Sequence, residues 1–253
     1  MRKVLSTVAA VFLFFGVTDS SDADEILHFL LPLNMPPYID LSTNTGYELE
    51  LIEMIVEEMG ATVNYTHVPI ARLSTTLPAN AFDAATLQRP TSDTIDFYYS
   101  CPYIEYHNLI VSRADDNIVI NQLNDLIGLH VIAFQTATRA LGPSFANAAE
   151  QASEYVETVD QGSQVEMLMR QRTNAIVLDE NILNYYLGQY SDVPTLNRYP
   201  IATTRYQVAF KDPSLQQRFD SAQQRIWQTE AYQQLQRKYF NTVNQQLAAH
   251  CDF

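Results

Sequence analysis

The chain has 253 residues, a hydrophobic content of 47% and a net charge of −14. An acidic balance of this size excludes nucleic acid and anionic membrane as main partners, since both carry the same sign. The five histidines (28, 67, 107, 130 and 250) show no i, i+4 pairing and no cysteine set beside them, so neither a metal site nor a cofactor is expected.

Arg2 and Lys3 precede an apolar run from Val8 to Val17, followed by polar Thr18 to Asp22. That run is shorter than the roughly 20 apolar residues a membrane span needs. Residues 1–23 therefore read as a cleavable secretory signal, with small Ser21 and Ala23 ahead of a cut before Asp24; the alternative is a buried N-terminal helix. No cysteine follows the run, which disfavours a lipid anchor. The expectation is a periplasmic, monomeric protein whose mature chain does not insert into the membrane. Cys101 and Cys251 either form one disulfide closing a long loop or stand as a buried and a loose thiol.

Ile26 to Leu31 is a buried-strand run stopped by Pro32, and Pro36-Pro37-Tyr38 reads as a rigid loop. Leu51, Ile52, Ile55, Val56 and Met59 are spaced for a helix over Glu48–Met59, with Gly60 as its C′ residue. Val63–Val68 is a strand, Arg72–Leu77 a helix, and Phe82 begins another strand. A second round follows: strands at Leu109–Val111, His130–Phe134, Tyr155–Val159 and Asn174–Leu178, a short helix or turn at Asn121–Ile127, and helices from Thr136, at Gln164–Arg170 and at Glu180–Leu187. Tyr206–Phe210 is a strand, Asp212-Pro213 an N-cap with proline at N1, and one long helix carries Leu215 to Tyr239. Repeated β-α alternation without a linker implies α/β architecture in compact lobes.

Phe82 to Tyr103, FDAATLQRPTSDTIDFYYSCPY, is the most informative stretch. Its Asp-Ala entry, Arg89-Pro90 turn and Ser100-x-Pro102-Tyr103 exit resemble the ligand-contacting segment of family 3 of the bacterial extracellular solute-binding proteins. Other segments resemble the same family in the same order: Pro36-Pro37-Tyr38, Gly46-Tyr47-Glu48-Leu49-Glu50-Leu51, Pro69-Ile70-Ala71-Arg72, Ala133 to Thr138, and Asn174-Ala175-Ile176-Val177-Leu178-Asp179. The resemblance implies the type II periplasmic binding fold: two lobes, each a mixed, mostly parallel sheet flanked by helices, joined by a two-strand hinge. Lobe 1 would comprise 24–106 and 203–253 and lobe 2 107–202, with crossings near Ile104–Asn108 and Tyr199–Thr204.

The resemblance further implies a small polar ligand held between the lobes by Tyr38, Arg72, Gln88, Arg89, Thr138, Arg139 and Asp179, with the membrane permease subunits of an ABC transporter as partner. Tyr38 would stack on the ligand, or pack in the core. Asp179 would take an α-amino group, or cap the helix that follows. Asp93 stands where the family places its carboxylate-binding arginine, and an anion cannot replace a guanidinium in that role. The ligand is therefore not expected to be an ordinary α-amino acid. No catalytic motif such as GxSxG occurs, and a non-enzymatic protein is expected. The alternatives are an enzyme on this scaffold, resembling cyclohexadienyl dehydratases, and a sensing module for a separate receptor.

Overall fold

A computed structural model of the chain describes residues 25–79, 81–90, 97–242 and 251. The leader 1–23 and Asp93 lie outside the described residues. The elements in order are β1 (Glu25–Pro32), α1 (Tyr47–Glu58), β2 (Ala61–Val68), α2 (Leu73–Thr76), β3 (Ala84–Gln88), β4 (Tyr98–Tyr99) and β5 (Ile104–Arg113). There follow β6 (His130–Phe134), α3 (Ala137–Leu141), α4 (Pro143–Ala149), β7 (Glu154–Thr158), α5 (Gln161–Met169), β8 (Ala175–Asp179) and α6 (Glu180–Leu187). The chain closes with β9 (Leu196–Phe210), α7 (Pro213–Trp227) and α8 (Glu230–Phe240).

Among the described residues the main strand order is β2-β1-β3-β9-β5-β8-β6-β7, with β4 pairing β9. Parallel pairs dominate both ends: β1 with β2 and β3, and β6 with β7 and β8. The middle is antiparallel, because β5 and β9 run from one half of the sheet into the other. The two expected crossings lie inside these long strands. A register shift between Asn108 and Leu109 marks the place where β5 passes from one half to the other, as an irregular ladder re-aims side chains there.

Sequence accounts for most elements. Ala175-Ile176-Val177-Leu178 has no polar face because both faces are covered: Ile176 and Leu178 join the larger core, Ala175 and Val177 the smaller one beneath α3 and α4. Leu49, Leu51, Ile52, Ile55 and Val56 bury the inner face of α1. Gly46 precedes this helix at φ 148°, and a Cβ there would lie 2.2 Å from the carbonyl oxygen of Tyr38. Only glycine allows the 36–38 loop to approach so closely. The expected final helix is two helices. Thr229 accepts a hydrogen bond from the Tyr232 N–H at 3.2 Å and so caps a new start, α8, after α7 ends. Cys101 and Cys251 form a disulfide with Cα atoms 5.1 Å apart, inside the range the bond requires.

Candidate functional site

A cavity of about 670 Å³ opens where the two halves of the sheet meet, walled by residues of both. Its near wall begins with a bulge in β3. Leu87 has φ 50°, the register of β3 shifts between Ala85 and Gln88, and the Leu87 N–H donates to the Tyr103 hydroxyl at 3.1 Å. A left-handed leucine is costly. The bulge turns Gln88 and Arg89 into the cavity, where both line the wall. The floor is Tyr106, Asn108 and Tyr206 from the paired strands β5 and β9.

Beneath that floor, Glu48 is fully buried in the first turn of α1 and accepts a hydrogen bond from Tyr103 at 2.7 Å. Its other oxygen, Oε2, and the Thr86 hydroxyl are buried without hydrogen-bond partners. Loss of water raises the Glu48 carboxyl from 4.5 to about 7, with the Tyr103 and Thr86 hydroxyls opposing.

The far wall carries Asp179 at the end of β8. Its Oδ1 accepts from Tyr38 (3.0 Å), the Asn181 N–H (2.9 Å) and the Ile182 N–H (3.1 Å), and Oδ2 accepts from the His107 N–H (2.8 Å). Burial raises this carboxyl to about 6, against the pull of those four bonds. Of the two roles open to Asp179 from sequence, the cap of α6 is present.

Tyr38, expected over the ligand, does not line the cavity. Its ring stacks on Tyr106 at 4.5 Å and is buried behind it, because its hydroxyl is drawn to Asp179 and Asn181. Tyr106 occupies the cavity-facing place instead.

Thr138 lies near the start of α3 but away from the cavity wall. Its N–H and hydroxyl both donate at 2.9 Å to Glu157, which also accepts from the Thr136 N–H (2.6 Å) and Tyr155 (3.0 Å). The chain's own carboxylate thus fills the anion position at this helix start. Arg72 is exposed in a short 3-10 turn, outside the wall, while nearby Ile70 and Ser74 face the cavity.

Four expected residues do converge on the cavity: Gln88, Arg89, Arg139 and Asp179. Arg89 reaches across to donate to the Ala140 carbonyl at 2.8 Å, beside Arg139. Tyr206 feels both guanidinium groups, although burial dominates and pushes its hydroxyl up to about 12. Sequence reasoning missed Tyr206, Tyr106, Gln161 and Phe134 as wall residues. Each sits in or beside an apolar strand or helix face, where nothing in the local pattern separates wall from core. Among the described residues no cluster of three His, Cys, Asp or Glu could hold a metal ion, and no helix is long and apolar enough to cross a membrane.

Fold and cleft together define a type II periplasmic binding protein, a class that the solved structures it resembles also represent. The sequence matches the model of the bacterial extracellular solute-binding proteins, family 3, over residues 31–242, and the chain belongs to that family. No curated protein matches it. Three solved structures illustrate the likeness. A histidine kinase sensor domain similar to periplasmic binding proteins aligns with TM-score 0.74 and 19% identity, covering 88% of this chain and 99% of that one. An ABC uptake transporter substrate-binding protein from Streptococcus pneumoniae with bound histidine gives 0.72 and 15%, covering 86% and 93%. An ancestral amino acid-binding protein, a precursor of cyclohexadienyl dehydratase, gives 0.71 and 17%, covering 85% and 95%. At these identities the likeness is one of fold.

Proposed function

We propose that the chain is a periplasmic solute-binding protein that captures a small ligand between two lobes and presents it to the membrane subunits of an ABC transporter. The observation that carries this reading is the cavity between the sheet halves, with Gln88 and Arg89 on one wall and Arg139 on the other. A ligand touching both walls binds a closed arrangement better than an open one, and that difference drives closure about β5 and β9. The lobes would be 24–106 with 203–253, and 107–202. Residues 1–23 would direct export, and the mature protein would act as a monomer. Arg89, Gln88 and Arg139 contact the ligand in this reading. Tyr38 and Thr138 support the walls from behind, and Arg72 has no direct part. The ligand is not an ordinary α-amino acid.

A thermal-shift screen across amino acids, polyamines, dicarboxylates, aromatic acids and small sugars tests the reading. A compound that raises Tm and contracts the particle in small-angle scattering supports it, and a screen in which nothing shifts Tm removes it. A second reading is favoured by the likeness to the dehydratase precursor: an enzyme on the same scaffold. Product formation from prephenate would establish it.

A further inference from the structure

We infer that the cleft takes an organic anion with an apolar, ring-sized body and no α-amino group, an inference that rests on the solute-binding reading. An α-amino acid needs an acceptor for its ammonium and donors for its carboxylate. Among the described residues Asp179 is the one carboxylate on the cavity wall, and it already accepts four hydrogen bonds from the protein, about as many as its lone pairs allow. It is also buried to 1% exposure, so an incoming ammonium would have to displace bonds that hold a helix cap and the 36–38 loop. The N–H groups at the start of α3 are likewise committed to Glu157.

The uncommitted charged groups are of the opposite kind, and the buried wall acceptors left without a partner, Gln161 Oε1 and the Tyr106 hydroxyl, are neutral and offer an ammonium no countercharge. Arg139 donates its backbone N–H to the Thr136 carbonyl at 3.1 Å, and its guanidinium makes no hydrogen bond or ion pair among the described residues. Arg89 gives one N–H to Ala140 and keeps the rest of its five donors. Tyr206, only 9% exposed and on the cavity wall, has a hydroxyl without a hydrogen-bond partner among the described residues. All three groups line the same cavity, and the Tyr206 hydroxyl lies in the field of both arginines as well as of Asp179 and Glu48. Arg89 and Arg139 are exposed residues that line the cavity, and they are the cationic partners the described wall offers an anion. The rest of the wall is mixed: Ser74, Thr75, Asn108, Thr136 and Gln161 are polar, while Ile70, Leu87, Phe97, Phe134 and Ile182 give an apolar surface, and the volume of about 670 Å³ accommodates a ring as well as the carboxylate.

Three probes that share one ring separate the contributions: phenylpropionate (carboxylate alone), L-phenylalanine (carboxylate and amine) and phenylethylamine (amine alone). Isothermal titration of the purified protein should give phenylpropionate at least about tenfold tighter than L-phenylalanine, with phenylethylamine weakest. Arg139→Ala and Tyr206→Phe should each weaken phenylpropionate about tenfold or more without lowering Tm by more than a degree or so. The inference is overturned if L-phenylalanine or phenylethylamine binds as tightly as phenylpropionate, or if Arg139→Ala leaves phenylpropionate binding unchanged. If all three probes fail while another compound of the broad screen binds, the inference falls and the solute-binding reading stands. If nothing in that screen binds, both fall.

Discussion

Each half of the cleft holds a fully buried carboxylate, and the two halves treat it differently. Asp179, on the far side, is met by four donors. Glu48, under the near floor, accepts one well-formed hydrogen bond, from Tyr103, with the Thr86 hydroxyl as a weaker neighbour. Both lose water equally, yet Asp179 stays mostly ionised at neutral pH while Glu48, raised to about 7, is close to half protonated there. Burial raises the two by similar amounts, from 3.8 and from 4.5, and what distinguishes them in the structure is donor supply. The far wall is thereby closed to a further cation, whereas the near floor retains a proton that can leave.

Removing the well-supplied acid breaks the comparison most severely. Asp179→Ala strands Tyr38, the His107 N–H and two N–H groups of α6 in one step. The expected loss is about 3–5 kcal/mol, read from urea unfolding. If the variant were as stable as the parent, Asp179 would not be structural and an amino-group contact would again be its better reading.

The poorly supplied acid gives a pH-dependent effect. Because its folded pKa is raised above the unfolded 4.5, the stability it allows is fully present below about pH 4. That stability is lost as pH rises to about 7. In Glu48→Gln the carbonyl keeps the Tyr103 bond and the amide is placed to donate to the Thr86 hydroxyl. Its stability relative to the parent should therefore improve by about 3 kcal/mol between pH 4 and pH 8. Parallel stability curves for the two proteins across that range would show that Glu48 is ionised without cost in the fold.

How much of this was legible beforehand depends on the range of each interaction. Asp179, Arg89 and Arg139 stood out because the segments that carry them resemble the family's ligand-contacting segments. The alternating β-α order, the Asp212-Pro213 cap of α7 and the C′ glycine at Gly60 are likewise local patterns that the structure carries. Tyr38 was misplaced because its partners, Tyr106 and Asp179, are far away in sequence, and only the Gly46 contact brings its loop down onto them. Glu48 reads as an ordinary first-turn acid favoured by the helix dipole, and sequence does not reveal that α1 turns it inward. The single long final helix failed for a different reason: its apolar spacing runs on through the break, and a lone Thr229 outweighs it.

Glu157 extends the comparison to a third acid and yields the smallest effect. Its position in β7 gives no local hint of a role; parallel pairing of β6 with β7 is what sets it against the start of α3. There it collects two N–H groups, the Thr138 hydroxyl and the Tyr155 hydroxyl, but is only partly buried, so water can replace some of those bonds. Glu157→Ala should cost about 1–2 kcal/mol, well below the loss at Asp179 despite an equal number of donors. Glu157→Gln keeps an acceptor oxygen and loses only the charge, so it should cost about half as much. The gap between the two variants, measured by chemical unfolding at low and high salt, separates the hydrogen bonds from the charge at the helix start, since only the second part is screened. A loss at Glu157 equal to that at Asp179 would mean that the number of donors, and not access to water, sets what a carboxylate contributes to this cleft.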